Sequence, residues 1–442
     1  MSLPPGPSTP AFLQTWAWVR RPTALLEECR QRYGPRFTLK FPRGRRLVML
    51  ADPEDVKTVF TGPADVFLSG RANQTFKPFL GERSLLVLDL EDHQRHRRLL
   101  MPPFQGERMR AYGTLVRDVT LRSLDRWPVG TPFPIIGPMH AITLEIIIRA
   151  VFGVNDDAAV ERLRGLLERL AHSAHALLLF FPSLQRDLGA WSPWGRFVRA
   201  RAAVDEVLLA EVRRARTATV GREDILAKLV EEGVRRGDPL ADEETRDELL
   251  TLLGAGHETS TAALAWGFQW ILGTPAALER AHAELRDVAG EGTLDPVCVP
   301  RLRWLDACVY ESMRITPVAP MALRWLARGV SIGGFDLPEG TIACPCAWLV
   351  HRDASIHSEP RSFRPERFEE KRPSPFEWFP FGGGNRTCIG MAFALYEMNV
   401  ILATVLQRAR LRLVDPPSER VRRNGIILAP RDGTRVVYEG PK

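Results

Sequence analysis

The sequence predicts a mainly α-helical fold with small β-sheets, built as a single large domain over residues 1–442. Three observations carry that expectation. Amphipathic helical spacing dominates the middle of the chain up to about Leu272. One helical stretch, Asp242 to Leu272, is about 45 Å long at 1.5 Å per residue, enough to cross the whole molecule. Strand-like runs lie outside that helical middle, and no Gly/Ser linker, repeat or low-complexity tract divides the chain. Length alone allows about three average domains, but 45% hydrophobic residues can fill one deep core instead.

From the N-terminus, Phe37–Phe41 and Leu47–Ala51 read as strands and Pro53–Phe60 as a helix. Residues 62–90 are irregular, yet Phe67, Phe76, Phe79 and Leu80 make the stretch too apolar for a plain solvent loop. The long helix starts with Asp242 as N-cap and Glu243 and Glu244 in its first turn, and Gly273-Thr274-Pro275 stops it. Strand signals return over Val330–Ile342 and Ile426–Val437, bounded by Gly, Asp or Pro. Between them, Met391–Leu406 reads as an apolar helix.

Charged residues make up 26% of the chain and the net charge is +7. The basic residues are scattered and no nucleic-acid motif accompanies them, so nucleic-acid binding is not expected. Arg95, Arg97 and Arg98 form a candidate patch for docking an acidic electron carrier. No apolar run approaches the roughly 18 residues of a membrane span. Pro4, Pro5, Pro7 and Pro10 ahead of Trp16 and Trp18 lack the basic-then-apolar order of a signal peptide. Six cysteines without paired spacing point to a reducing, cytoplasmic setting rather than a disulfide framework.

Five of those cysteines (Cys29, Cys298, Cys308, Cys344, Cys346) read as small buried hydrophobes. Cys388 differs. It lies in FGGGNRTCIG, Phe381 to Gly390, at the entrance to the Met391–Leu406 helix. The glycines Gly382, Gly383, Gly384 and Gly390 let backbone come close, so that amides can point at the sulfur. A helix N-terminus favours negative charge and is expected to lower the thiol pKa. Arg386 adds a cation and Phe381 an aromatic shield. Such a loop suits a thiolate ligand to haem iron.

At these residues the chain resembles the cytochrome P450 family, whose ligand loop reads F-x-x-G-x-R-x-C-x-G; Phe381, Gly384, Arg386, Cys388 and Gly390 fill every defined place. The resemblance extends over nearly the whole chain and is weakest over the first 80 residues and over 171–201. It implies a soluble bacterial-type member with haem b held by Cys388 and the long helix crossing over it. A second motif agrees: Ala255-Gly256-His257-Glu258-Thr259 matches [A/G]-G-x-[D/E]-T, in which Glu258 and Thr259 relay protons to bound oxygen. Gly256 is expected to leave room for dioxygen, and Thr259 to bond back to a helix carbonyl. Glu311-x-x-Arg314 with Arg367 matches the family's structural charge lock. His93, Arg97, Arg324 and Arg386 are the implied partners of the haem carboxylates.

Phe76, Phe79, Leu80, Leu177, Leu252, Val318, Met321, Ile426 and Ile427 are the candidate substrate contacts. Without a charged cluster among them, they imply a hydrocarbon-like substrate such as a terpenoid, fatty acid or steroid. The implied reaction inserts one oxygen atom of O2 into a C–H bond, with electrons from a ferredoxin or flavodoxin and its NAD(P)H reductase. A peroxide-driven peroxygenase or isomerase, or a non-catalytic haem sensor, are the alternatives. Three other motifs fail: His257-Glu258 lacks the second histidine of H-E-x-x-H, Gly254-x-Gly256 lacks a third glycine, and His351-Arg352-Asp353 stands without kinase companions.

Overall fold

The computed structural model describes the chain except residues 1–2, 105–107, 155, 174–177, 179–183, 218–220 and 291, and the side chains of 108–111. Helices dominate and the sheets are small. Strands β1 (Arg36–Lys40) and β2 (Arg46–Leu50) pair antiparallel, with Arg36 opposite Leu50. With β3 (Phe67–Leu68), β4 (Arg324–Leu326) and β5 (Ile342–Pro345) they form a five-stranded sheet in the order β1-β2-β5-β4-β3. Only β2 and β5 run parallel, Leu47 facing Ile342. A hairpin near the C-terminus joins β6 (Val421–Asn424) to β7 (Ile427–Pro430).

The apolar residues sort into two clusters: one inside the helices, one between the five-stranded sheet and the N-terminal helices. Five helices matter for the site: α1 (Leu90–Leu100), α2 (Ile136–Phe152), α3 (Asp242–Leu272), α4 (Arg303–Ile315) and α5 (Met391–Arg408). The longest, α3, packs against α2, α4 and α5. Its limits agree with the helical pattern, but its start does not use Asp242 as the cap. Asp242 is the first helical residue, where its carboxylate accepts from Arg216 Nε at 2.6 Å. Glu244 turns back instead and accepts the Ala241 N–H at 2.8 Å, as a carboxylate at the third helical position can.

The apolar stretch 62–90 is more ordered than its sequence indicates. It contains β3 and short helical turns at Ser69–Ala72, Gln74–Phe76 and Lys77–Leu80. Asp89 ties it down by accepting the Gly70 and Arg71 amides, each at 2.7 Å. Among the described residues no single helix is long and apolar enough to cross a membrane.

Candidate active site

Cys388 stands three residues ahead of α5. Gly382 and Gly384 have φ of +68° and +67°, where a side chain would strain the backbone. The loop also presses on the helix Pro53–Thr61: a Cβ on Gly384 would lie 2.1 Å from the Phe60 carbonyl oxygen. The Cys388 N–H donates to the Phe381 carbonyl at 2.9 Å, and the Gly390 amide is directed at the sulfur. Phe381 is half-buried beside Trp378, ring centroids 6.2 Å apart.

The expected lowering of the thiol pKa is not found. Burial pushes the Cys388 thiol up, outweighing the Gly390 amide and the charge of Arg97. The residue still presents accessible surface, so it is enclosed enough to resist charge yet open to a ligand. A coordinated metal deprotonates such a thiol outright.

Beside this loop three guanidiniums gather around His93, which projects from α1. Burial first, and then the charges of Arg386, Arg97 and Arg324, take the His93 pKa down to about 3, so the imidazole is neutral. Arg324 is buried and donates to Ser69 Oγ at 3.1 Å and to the Leu323 and Gly383 carbonyls. Burial draws its pKa down to about 10, and among the described residues no carboxylate touches it. Arg97 is half-buried and has no hydrogen-bond or ion-pair partner among the described residues. Arg386 is already anchored, to Asp89 at 2.5 Å and to the Leu88 and Leu85 carbonyls. Three cations thus face one carboxylate, leaving two positive charges without a direct counter-ion. Buried charge without a partner is costly, and a ligand bearing two carboxylates relieves it. Together with the open thiol, these residues fit a haem.

On α3 the run Gly254-Ala255 is exposed in mid-helix, although Ser260 to Leu272 is buried throughout. That opening carries the second motif. Thr259 Oγ1 donates to the Ala255 carbonyl at 2.5 Å, as expected of a threonine bonding back along its helix. Glu258 is half-buried, and its Oε2 accepts from Asn424 Nδ2 at 2.8 Å. A Cβ on Gly256 would lie 3.0 Å from Ile147 Cδ1, so this glycine also permits the close approach of α2.

Glu311 and Arg314 form a two-point pair on α4, Nε–Oε2 at 2.7 Å and Nη2–Oε1 at 2.9 Å, both side chains fully buried. Arg367 Nε reaches Glu311 at 3.2 Å, and Arg314 Nη1 donates to the His351 and Pro360 carbonyls. Every charge in this cluster has a partner.

The substrate candidates divide. Leu80 comes to 4.0 Å from the Cβ position of Gly254, and Phe79 packs on Phe197 with centroids 4.9 Å apart. Phe76 is half-buried and Leu252 and Val318 are buried. Ile427 packs against the helical core, whereas Met321 packs against the sheet-side core. Ile426 is 48% exposed at the hairpin tip, and Leu177 lies outside the described residues. Of these, the exposed Ile426 stands apart from the buried candidates.

The basic patch is also broken up. Arg95 donates to Asp238 at 2.8 Å and to Glu244 at 3.1 Å, and Arg97 faces the thiol side, leaving Arg98 exposed. Three site residues were missed. Asp89 and Asn424 carry no pattern in the sequence. Glu397 on α5 is a buried carboxyl whose pKa burial raises to about 8, with Ser260 as its hydrogen-bond partner. A glutamate in so apolar a helix was the available signal.

Comparison with known proteins agrees with this geometry. The family described as Cytochrome P450 matches residues 4–435. Cytochrome P450 135B1 of Mycobacterium tuberculosis is 35% identical over 99% of this chain and 91% of its own length. Cytochrome P450 138 of the same organism is 35% identical over 98% and 96%. A retinoic-acid-bound cyanobacterial CYP120A1 superposes over 100% of both chains with a TM-score of 0.86 at 22% identity, a likeness of fold. The chain belongs to the cytochrome P450 family, haem-thiolate enzymes that are generally monooxygenases.

Proposed function

We propose that this enzyme oxidises a hydrophobic small molecule of the terpenoid, fatty acid or steroid class, with electrons from a ferredoxin or flavodoxin and its NAD(P)H reductase. The observation that carries the mechanism is the opened middle of α3, where the Thr259 hydroxyl is held by the Ala255 carbonyl. Bound through Cys388, the haem supplies reductive activation of O2 and insertion of one oxygen atom into a C–H bond.

The protein's own residues do the rest. Arg97 and Arg324 would hold the haem carboxylates, and His93, neutral, would add a hydrogen bond without further charge. The Glu311–Arg314–Arg367 cluster is structural: it ties α4 to residues 351–367, upstream of the ligand loop. Asn424 fixes one oxygen of Glu258, leaving Oε1 to take up and release a proton. Thr259 Oγ1 relays by accepting a proton at a lone pair while giving up the one it otherwise points at the Ala255 carbonyl. Leu80, Phe79 and Val318 offer only hydrocarbon and aromatic surface, which suits an apolar substrate. Retinoic acid, bound by the cyanobacterial protein of like fold, is likewise mostly hydrocarbon, ending in a carboxylate.

Two substitutions test this reading. Cys388→His should abolish the long-wavelength Soret band of the reduced carbon monoxide complex; its survival would remove Cys388 as the ligand. Thr259→Ala should keep NADPH oxidation running while diverting it to peroxide. An unchanged ratio of product to NADPH would end the relay assignment. A screen of small molecules for spin-state shifts would identify the substrate class, and shifts produced only by compounds lacking a large hydrocarbon body would refute it.

A further inference from the structure

The residue between Gly256 and Glu258 is not idle. His257 is buried on α3, and its Nδ1 lies 2.6 Å from the Leu253 carbonyl oxygen. A carbonyl can only accept, so Nδ1 carries the proton and Nε2 of the neutral ring is a bare lone pair. That lone pair lies 3.9 Å from Glu258 Oε1, and the His140 ring of α2 stands edge-on to it, centroids 5.2 Å apart. Ligand atoms of His140, His257 and Glu258 all lie within 4.8 Å of one another.

We propose that His140, His257 and Glu258 form a three-ligand site for a divalent cation of the zinc class, bridging α2 and α3. The donor set is two imidazoles and a carboxylate, which zinc takes at about 2.0–2.2 Å with a fourth position left for water. Tetrahedral geometry places ligand atoms about 3.3 Å apart at those lengths. The pocket therefore needs a closing movement of side chains, not of helices. Two outer contacts hold the ligands as such sites require: Leu253 fixes the tautomer of His257, and Asn424 holds the other oxygen of Glu258. His140 is half-exposed and gives the ion a way in.

A proton path through His257 is the competing use of the same cluster, and the geometry disfavours it. A path needs Nδ1 to release its proton as Nε2 takes one up, and the Nδ1–H is held by the Leu253 carbonyl, where a proton has no onward route. A cation instead uses the lone pair as it stands. It would also take Glu258 Oε1 away from proton transfer; this consequence rests on the role of Glu258 proposed above, whereas the binding itself does not.

The test uses the haem-loaded enzyme and zinc sulfate at micromolar concentration, followed by desalting and a count of zinc and iron. The expected result is one zinc per iron in the wild type. Loss of a ligand weakens retention by about tenfold or more in both His140→Ala and His140→Gln, with turnover in zinc-free buffer unchanged. X-ray absorption at the zinc edge should show only nitrogen and oxygen neighbours, imidazoles among them. No retained zinc, equal retention in both variants, or sulfur in the coordination shell would each overturn the site. Zinc should slow turnover in the wild type and not in the variants. His140-dependent binding without slowing would uphold the site and remove Glu258 from the relay.

Discussion

Two buried charge clusters lie in the same molecule and obey opposite rules. In the cluster of Glu311, Arg314 and Arg367 each charge meets its complement, with carbonyls of residues 351 and 360 taking the remaining donors. In the cluster of Arg97, Arg324 and Arg386 one carboxylate, Asp89, faces three guanidiniums. Both are expensive to desolvate. The first is complete within the chain and so belongs to the fold. The second is short of negative charge and so belongs to a ligand. A buried cation is informative about function when its counter-ion is missing.

The contrast can be broken at several points. Arg314→Leu leaves Glu311 buried without its main partner and should cost about 3–5 kcal/mol, read as loss of folded protein or by chemical denaturation. Normal stability would mean the closed cluster is dispensable. Glu397 has no counter-ion among the described residues and gives a different signature. Its folded pKa of about 8 exceeds the ordinary carboxylate value, so its contribution to stability is whole at low pH and is lost as pH rises toward 8. The slope should approach about 1.4 kcal/mol per pH unit, one proton's worth. Melting temperatures of Glu397→Gln between pH 5 and 8 should lack that slope; a matching slope would assign it elsewhere.

Arg97→Leu removes a cation from the open cluster without orphaning an acid. Folding should be unharmed, while haem transfer to apomyoglobin should quicken by about tenfold or more, the worth of one charge-assisted hydrogen bond. Lost folding with unchanged haem transfer would reverse the roles of the two clusters. The smallest effect concerns the surface. With Arg95 committed to Asp238 and Glu244, Arg98→Gln alone should slow reduction by an acidic donor about twofold, and only at low salt.

How much was legible follows from whether chemistry was local in the chain. The helix 242–272, the Cys388 loop and the Glu311/Arg314 pair are each written in consecutive or near-consecutive residues, and helical period or motif spacing is enough to find them. What was misread needed a partner from far away. Asp242, read as the cap, meets Arg216 instead, and the approach of Ile147 to Gly256 comes from more than a hundred positions earlier. Arg95 read as a surface cation until Asp238 and Glu244 met it. The thiol pKa was judged from a helix end, but burial, which no short motif encodes, is the stronger influence.

Asn424, which steadies Glu258, sits at the end of β6, and Ile427 begins β7 across the turn. The hairpin that packs Ile427 against the helical core thus also holds the Glu258 carboxylate. On the role proposed for Glu258, a guest that displaced the hairpin would misdirect the acid, so a poor fit would reveal itself as wasted reductant before it revealed itself as weak affinity.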